Sequence, residues 1–140
     1  MARAVAFVVL VGLALASAPA RAEHEVYYRY MVLGFVRDAH GRPLSGRPLE
    51  LVRDKTGLAY RALTDEKGFF LIIARLGDES VGEPLTLRAG KAVTKLTAVF
   101  DPANHTDHRG VQVDLEGETF IERSARFLTT LRDALAGGSP

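Results

Sequence analysis

The 140-residue chain contains no cysteine. Disulfides, thiolate metal sites, c-type haem attachment, thiol redox catalysis and lipid anchoring through an N-terminal cysteine are all excluded. An exported domain of this size without disulfides has to hold itself together by hydrophobic packing, and a composition 47% apolar provides the means. The chain also has little excess charge, with 18 basic against 17 acidic residues. Nothing in that balance points to nucleic acid. There is no internal repeat and no low-complexity linker. Its one long apolar run, near the N-terminus, is shorter than the ~20 residues needed to cross a bilayer.

That run instead has the three parts of a secretory signal. Arg3 supplies a basic start, Ala4 to about Ala16 an apolar centre, and Ala20-Arg21-Ala22 the small residues that a signal peptidase reads. Cleavage is expected after Ala22, which places the product in the periplasm or outside the cell. The leader carries away two basic residues, Arg3 and Arg21, and no acidic one, so the formal charge moves from +1 to −1. Residues 23–140 remain, enough chain for a single core.

The remaining sequence is a series of short apolar runs punctuated by turn residues, the pattern of a small all-β sandwich. Seven strands are predicted: 28–37, 48–53, 58–63, 69–74, 84–89, 92–100 and one around Val111, Val113 and Leu115. The last alternates with Gln112, Asp114 and Glu116 and reads as half-exposed. After Gly117 the period changes. Thr119 and Glu122 match a capping box, and Phe120, Phe127, Leu128, Leu131 and Leu135 share a helical face. This predicts an amphipathic helix over 120–136, ended by Gly137-Gly138. Its charges rule out a membrane span. It is expected to pack on the sandwich or dock onto a partner, with a membrane surface as a weaker reading.

From Gly34 to Phe70 the turn residues come in an ordered series. Gly34-Phe35-Val36, Asp38, Gly41, Pro43-Leu44, Gly46, Leu49, Leu51, Thr56-Gly57, then Thr64-Asp65, Gly68 and Phe70 resemble the carboxypeptidase regulatory-like domain. The resemblance implies a transthyretin-like β-sandwich that serves as an accessory or binding module in exported proteins, and it brings no catalytic residue. Two departures stand out. Arg47 occupies a position the family usually gives to a small or apolar residue, and the segment after Phe70 is replaced by the loop 75–83. The fold expected is therefore all-β, a seven-stranded Ig-like or transthyretin-like sandwich over residues 23–117, with a C-terminal amphipathic α-helix and tail over 118–140.

No nucleophile grouping is evident. Ser45, Ser80 and Ser124 fall in a turn, a loop and the helix, and an Asp and a His sharing one loop do not make a triad. The chain accordingly reads as a non-enzymatic module, without a cofactor, that binds another envelope or secreted protein, with acceptance of a strand at a sheet edge as a minor variant. The alternative is a periplasmic protein that binds or delivers copper, nickel or zinc. His105, Asp107 and His108 supply ligand types at short spacing, and His24 stands next to the expected new N-terminus. Solvated loop histidines are the plainer reading of the same residues, and His40, in a Gly/Pro turn, is expected to be structural or exposed. Tyr27, Tyr28 and Tyr30 form an aromatic cluster that is expected to pack across strands or cover the sandwich edge, with a sugar or peptide surface as the functional option.

Overall fold

The computed structural model describes residues 25–137. The expected signal segment, His24 and Gly138 lie outside the described residues. Eight strands form two four-stranded sheets with orders β4-β1-β7-β8 and β3-β2-β5-β6. The strands are β1 (Arg29–Arg37), β2 (Pro48–Arg53), β3 (Leu58–Leu63), β4 (Phe69–Arg75), β5 (Pro84–Ala89), β6 (Ala92–Thr97), β7 (Arg109–Glu116) and β8 (Thr119–Glu122). Helix α1 follows at Phe127–Gly137. The second sheet is antiparallel throughout. In the first, β1 runs antiparallel to β4 but parallel to β7.

Side chains alternate between the two faces of a strand, and the core follows from that period. Tyr30, Val32 and Val36 of β1, Phe70 and Ile72 of β4, and Val111, Val113 and Leu115 of β7 face Leu49, Leu51, Leu85, Leu87 and Leu96 of the other sheet. Burying each large side chain stabilises the fold by roughly 1.5–3 kcal/mol. The turn glycines do what their positions demand. Gly41, Gly46, Gly57 and Gly68 all have φ between +70° and +80°, a region that costs a residue with a Cβ.

Three expectations are corrected. Among the described residues there are eight strands, not seven, because Thr119–Glu122 is a strand and not the start of a helix. Gly117-Glu118 makes a two-residue hairpin with Glu116 opposite Thr119. Gly117, at φ +65°, is the glycine that such a tight turn requires at its first central position. This local signal outweighs the Thr119/Glu122 capping pattern, so α1 begins at Phe127. A boundary between 117 and 118 would fall inside that hairpin.

The third correction concerns β7, which is buried on both faces rather than half-exposed. Gln112 and Asp114 are 2% and 1% exposed. On that face Asp114 is paired with Arg123 and bonded by Gln112, and α1 folds back on the adjoining strand so that Phe127 and Leu131 cover Met31 and Leu33, with Phe69 and Leu71 at the margin. This second, smaller core explains why β1 is apolar on both sides. Among the described residues, no helix is long and apolar enough to cross a membrane.

A candidate ligand cleft at the histidine loop

The segment between β6 and β7 is held by a buried arginine. Arg109 opens β7 with its side chain only 3% exposed. Its Nη1 donates to Tyr27 O at 3.0 Å, and Nη2 to Asn104 O at 3.0 Å. Longer contacts reach Asp101 O and Pro102 O. The guanidinium carbon lies 4.3 Å above the centre of the Phe100 ring. Asp78, in the short 3-10 turn Asp78–Ser80, completes the charge balance with Oδ1 2.9 Å from Arg109 Nη2. One planar cation thus ties three separate pieces of chain together.

Asp78 also pairs through Oδ2 with His105 Nε2 at 2.8 Å. Burial pushes the Asp78 carboxyl upward, but the contacts from Arg109 and His105 outweigh that and hold it below the usual carboxylate range. The other side of the His105 ring is stacked on Tyr27, with centroids 4.0 Å apart and planes 14° from parallel. His105 is therefore a clasp between the N-terminal turn Val26–Tyr28 and the loop.

Beside this clasp the loop and the start of the helical segment border an open cleft of about 410 Å³. Its polar wall includes Asp107, His108 and Ser124, and its apolar wall Val99, Phe127 and Leu128. Val99 is 70% exposed and Leu128 50%. His108 is half-buried, and its Nδ1 is buried without a hydrogen-bond partner. An unmet buried polar atom costs about 1–3 kcal/mol. The lining combines an imidazole, a hydroxyl and a carboxylate with apolar side chains, the composition of a small-molecule site.

The residues singled out from the sequence are placed differently from one another. His105 is taken by Asp78 and Tyr27, Asp107 accepts from Asn104 Nδ2 at 2.8 Å, and only His108 and Asp107 line the cleft. Among the described residues no group of three His, Asp or Glu side chains is placed to hold a metal ion. His40 is exposed, its N–H donating to Asp38 Oδ1. The three tyrosines are not one cluster. Tyr27 and Tyr28 form a tilted pair, whereas Tyr30 points into the core against Phe100, where burial raises its phenol to about 12. Arg109 and Asp78 have no role in the sequence reading. They are 31 positions apart, and only the sandwich brings them together.

No protein-family model matches the chain, and no curated protein matches it. Among solved structures it is similar to the dioxygenase domain of a dioxygenase carbohydrate-binding protein fusion from Streptomyces sp. SirexAA-E. That match has 20% identity and a TM-score of 0.44, and covers 66% of this chain and 80% of the other. It is also similar to catechol 1,2-dioxygenase from Acinetobacter sp. ADP1 inhibited by bound mercury, at 14% identity and TM-score 0.40, covering 61% and 43%. A third is chlorocatechol 1,2-dioxygenase from Pseudomonas putida, at 11% identity and TM-score 0.41, covering 71% and 62%. These neighbours correct the expectation of a non-enzymatic accessory module. They are dioxygenases by name, and the lack of a nucleophile grouping in the sequence does not exclude an enzyme. At these scores the likeness transfers no activity or residue to this chain.

Proposed function

We propose that the chain is an exported β-sandwich domain whose histidine-loop cleft binds a small organic molecule with an apolar body and a polar, hydrogen-bonding end. The observation that carries this reading is the cleft of about 410 Å³, in which His108, Ser124 and Asp107 share the lining with Phe127 and the exposed Val99 and Leu128. A ligand would set its apolar part against Phe127 and Leu128 and direct its polar end to His108, Ser124 and Asp107. Arg109 keeps the wall in place, so little of the binding free energy would go into ordering the loop. Export is supported by the Ala20-Arg21-Ala22 site behind an apolar run. The ordered turn glycines of Gly34–Phe70 support kinship with the carboxypeptidase regulatory-like sandwich.

The test is a screen of small aromatic and aliphatic polar compounds by NMR on the purified protein, with ligand loss followed in parallel. Binders are expected to perturb Val99, His108, Ser124 and Leu128, and to weaken in His108→Ala and Leu128→Asp. A screen in which no compound perturbs these residues refutes the proposal. Consumption of a binder by the wild type but not by His108→Ala would show that binding leads to chemistry.

A further inference from the structure

At the opposite end of the sandwich, away from Arg109, lie the last residues of β1 and β7 and the β5–β6 connection. The β5–β6 connection is the two-residue turn Gly90-Lys91, flanked by the small residues Ala89 and Ala92, which pair with each other. Small side chains there leave the end of the core thinly filled. The result is a cleft of about 280 Å³ whose lining includes core residues Val36 and Leu115 together with Leu44. It lies a little under the ~300 Å³ at which drug-sized sites begin. Its apolar floor is therefore sized for a short chain or a single ring.

The rim of this cleft is charged. Arg47 and Lys91 both line it, and both are exposed. The Arg47 backbone N–H is bonded to Thr64 Oγ1, which fixes where its side chain emerges. Among the described residues neither cation forms an ion pair, whereas Arg42, Arg53, Arg61, Lys95, Arg109 and Arg123 each do. Glu118 is the one carboxylate on the lining and is likewise unpaired, so the rim carries two positive charges against one negative. An apolar floor below two unpaired cations is complementary to an amphiphilic anion, and not to a cation or a fully apolar molecule. Arg47 is also the position at which the sequence departs from the small or apolar residue of the family it resembles.

We propose that this cleft is a second binding site, independent of the histidine-loop cleft, for a small amphiphilic carboxylate. The carboxylate faces Arg47 and Lys91, and the apolar part lies over Leu44, Val36 and Leu115. Glu118 disfavours a second negative charge on the ligand, so a monoanion is preferred to a dianion.

The test is an NMR titration of the isotopically labelled protein with sodium octanoate below its micelle concentration, alongside 1-octanol and octylammonium. Octanoate is expected to saturate and to shift Leu44, Gly90, Ala92 and Gly117. Octanol and octylammonium should bind about tenfold more weakly or worse, as expected when a charge-assisted contact is lost. Arg47→Ala with Lys91→Ala should weaken octanoate to a similar degree, while Arg88→Ala, outside the cleft, should not. Each variant's amide spectrum checks that it is folded. The proposal is overturned by any of three outcomes: octanol binding as tightly as octanoate, the double variant binding octanoate undiminished, or octanoate shifts that fail to saturate or map elsewhere.

Discussion

Gly110 sits directly beneath the ring of Phe127. A Cβ added at Gly110 would lie 2.6 Å from two carbons of that ring and would collide with Met31 O. The bare backbone at this point lets β7 approach β1 and lets α1 close over both. Gly110→Ala should therefore destabilise the fold by about 1–3 kcal/mol or more, the range for overpacking. Urea denaturation would measure it. Gly110→Ala should also loosen α1, visible as faster amide exchange at Leu131.

Asp114 provides the second prediction. Its Oδ1 accepts the Phe35 N–H at 2.9 Å, and its carboxylate pairs with Arg123 and takes a hydrogen bond from Gln112. The bond to Phe35 falls where the β1–β7 ladder records no pair between Leu33↔Gln112 and Val36↔Leu115. Asp114→Ala should cost about 3 kcal/mol, because it strands a half-buried cation as well as a backbone donor. Combining it with Arg123→Met should recover part of that loss in a chemical denaturation cycle.

A third prediction concerns acid. Arg53 Nε and Nη2 bind the two oxygens of Glu83 at 2.7 Å each, and this pairing lowers the Glu83 carboxyl from 4.5 to about 2 despite its burial. A depressed carboxyl stabilises the native state above its unfolded value and loses that contribution as pH falls through the folded one. Wild-type Tm should therefore fall between pH 4.5 and about 2. Asp38, Asp54 and Asp78, also lowered, act in the same direction. Glu83→Gln should be less stable at neutral pH and show a flatter acid limb.

The helix supplies the fourth. Leu131 is 2% exposed and Leu135 64%. Leu131→Ala should cost about 2–5 kcal/mol, and Leu135→Ala no more than about 0.5 kcal/mol. Equal losses would mean that α1 does not sit on Met31 and Leu33. Thermal denaturation of the two variants distinguishes the cases.

Most of the sandwich was legible from residues alone because period and punctuation are local. The bounds 48–53, 58–63 and 84–89 match β2, β3 and β5. What was not legible depends on partners distant in sequence. Gln112 and Asp114 look like a solvent face until Arg123 pairs with Asp114 and α1 folds back on the neighbouring strand. Thr119 and Glu122 look like a helix start until the Gly117 turn lays them beside β7. The cleft suffers most from this, since His108 could be picked out by residue type, whereas Arg109 and Asp78 acquire meaning only through loop closure.

The parallel pairing of β1 with β7 has a consequence in time. Phe35 and Asp114, 79 residues apart, touch in the same ladder, and β1 is a central strand of its sheet. Until residues near 116 are available, β1 has β4 on one side and an open hydrogen-bonding edge on the other. Contacts of such long range slow folding, because the loop must close before they form. A chain emerging N-terminus first would thus carry an unsatisfied strand until β7 follows it, exposed to pairing with another copy. Completion of the sheet, and with it protection from aggregation, falls to the last quarter of the sequence.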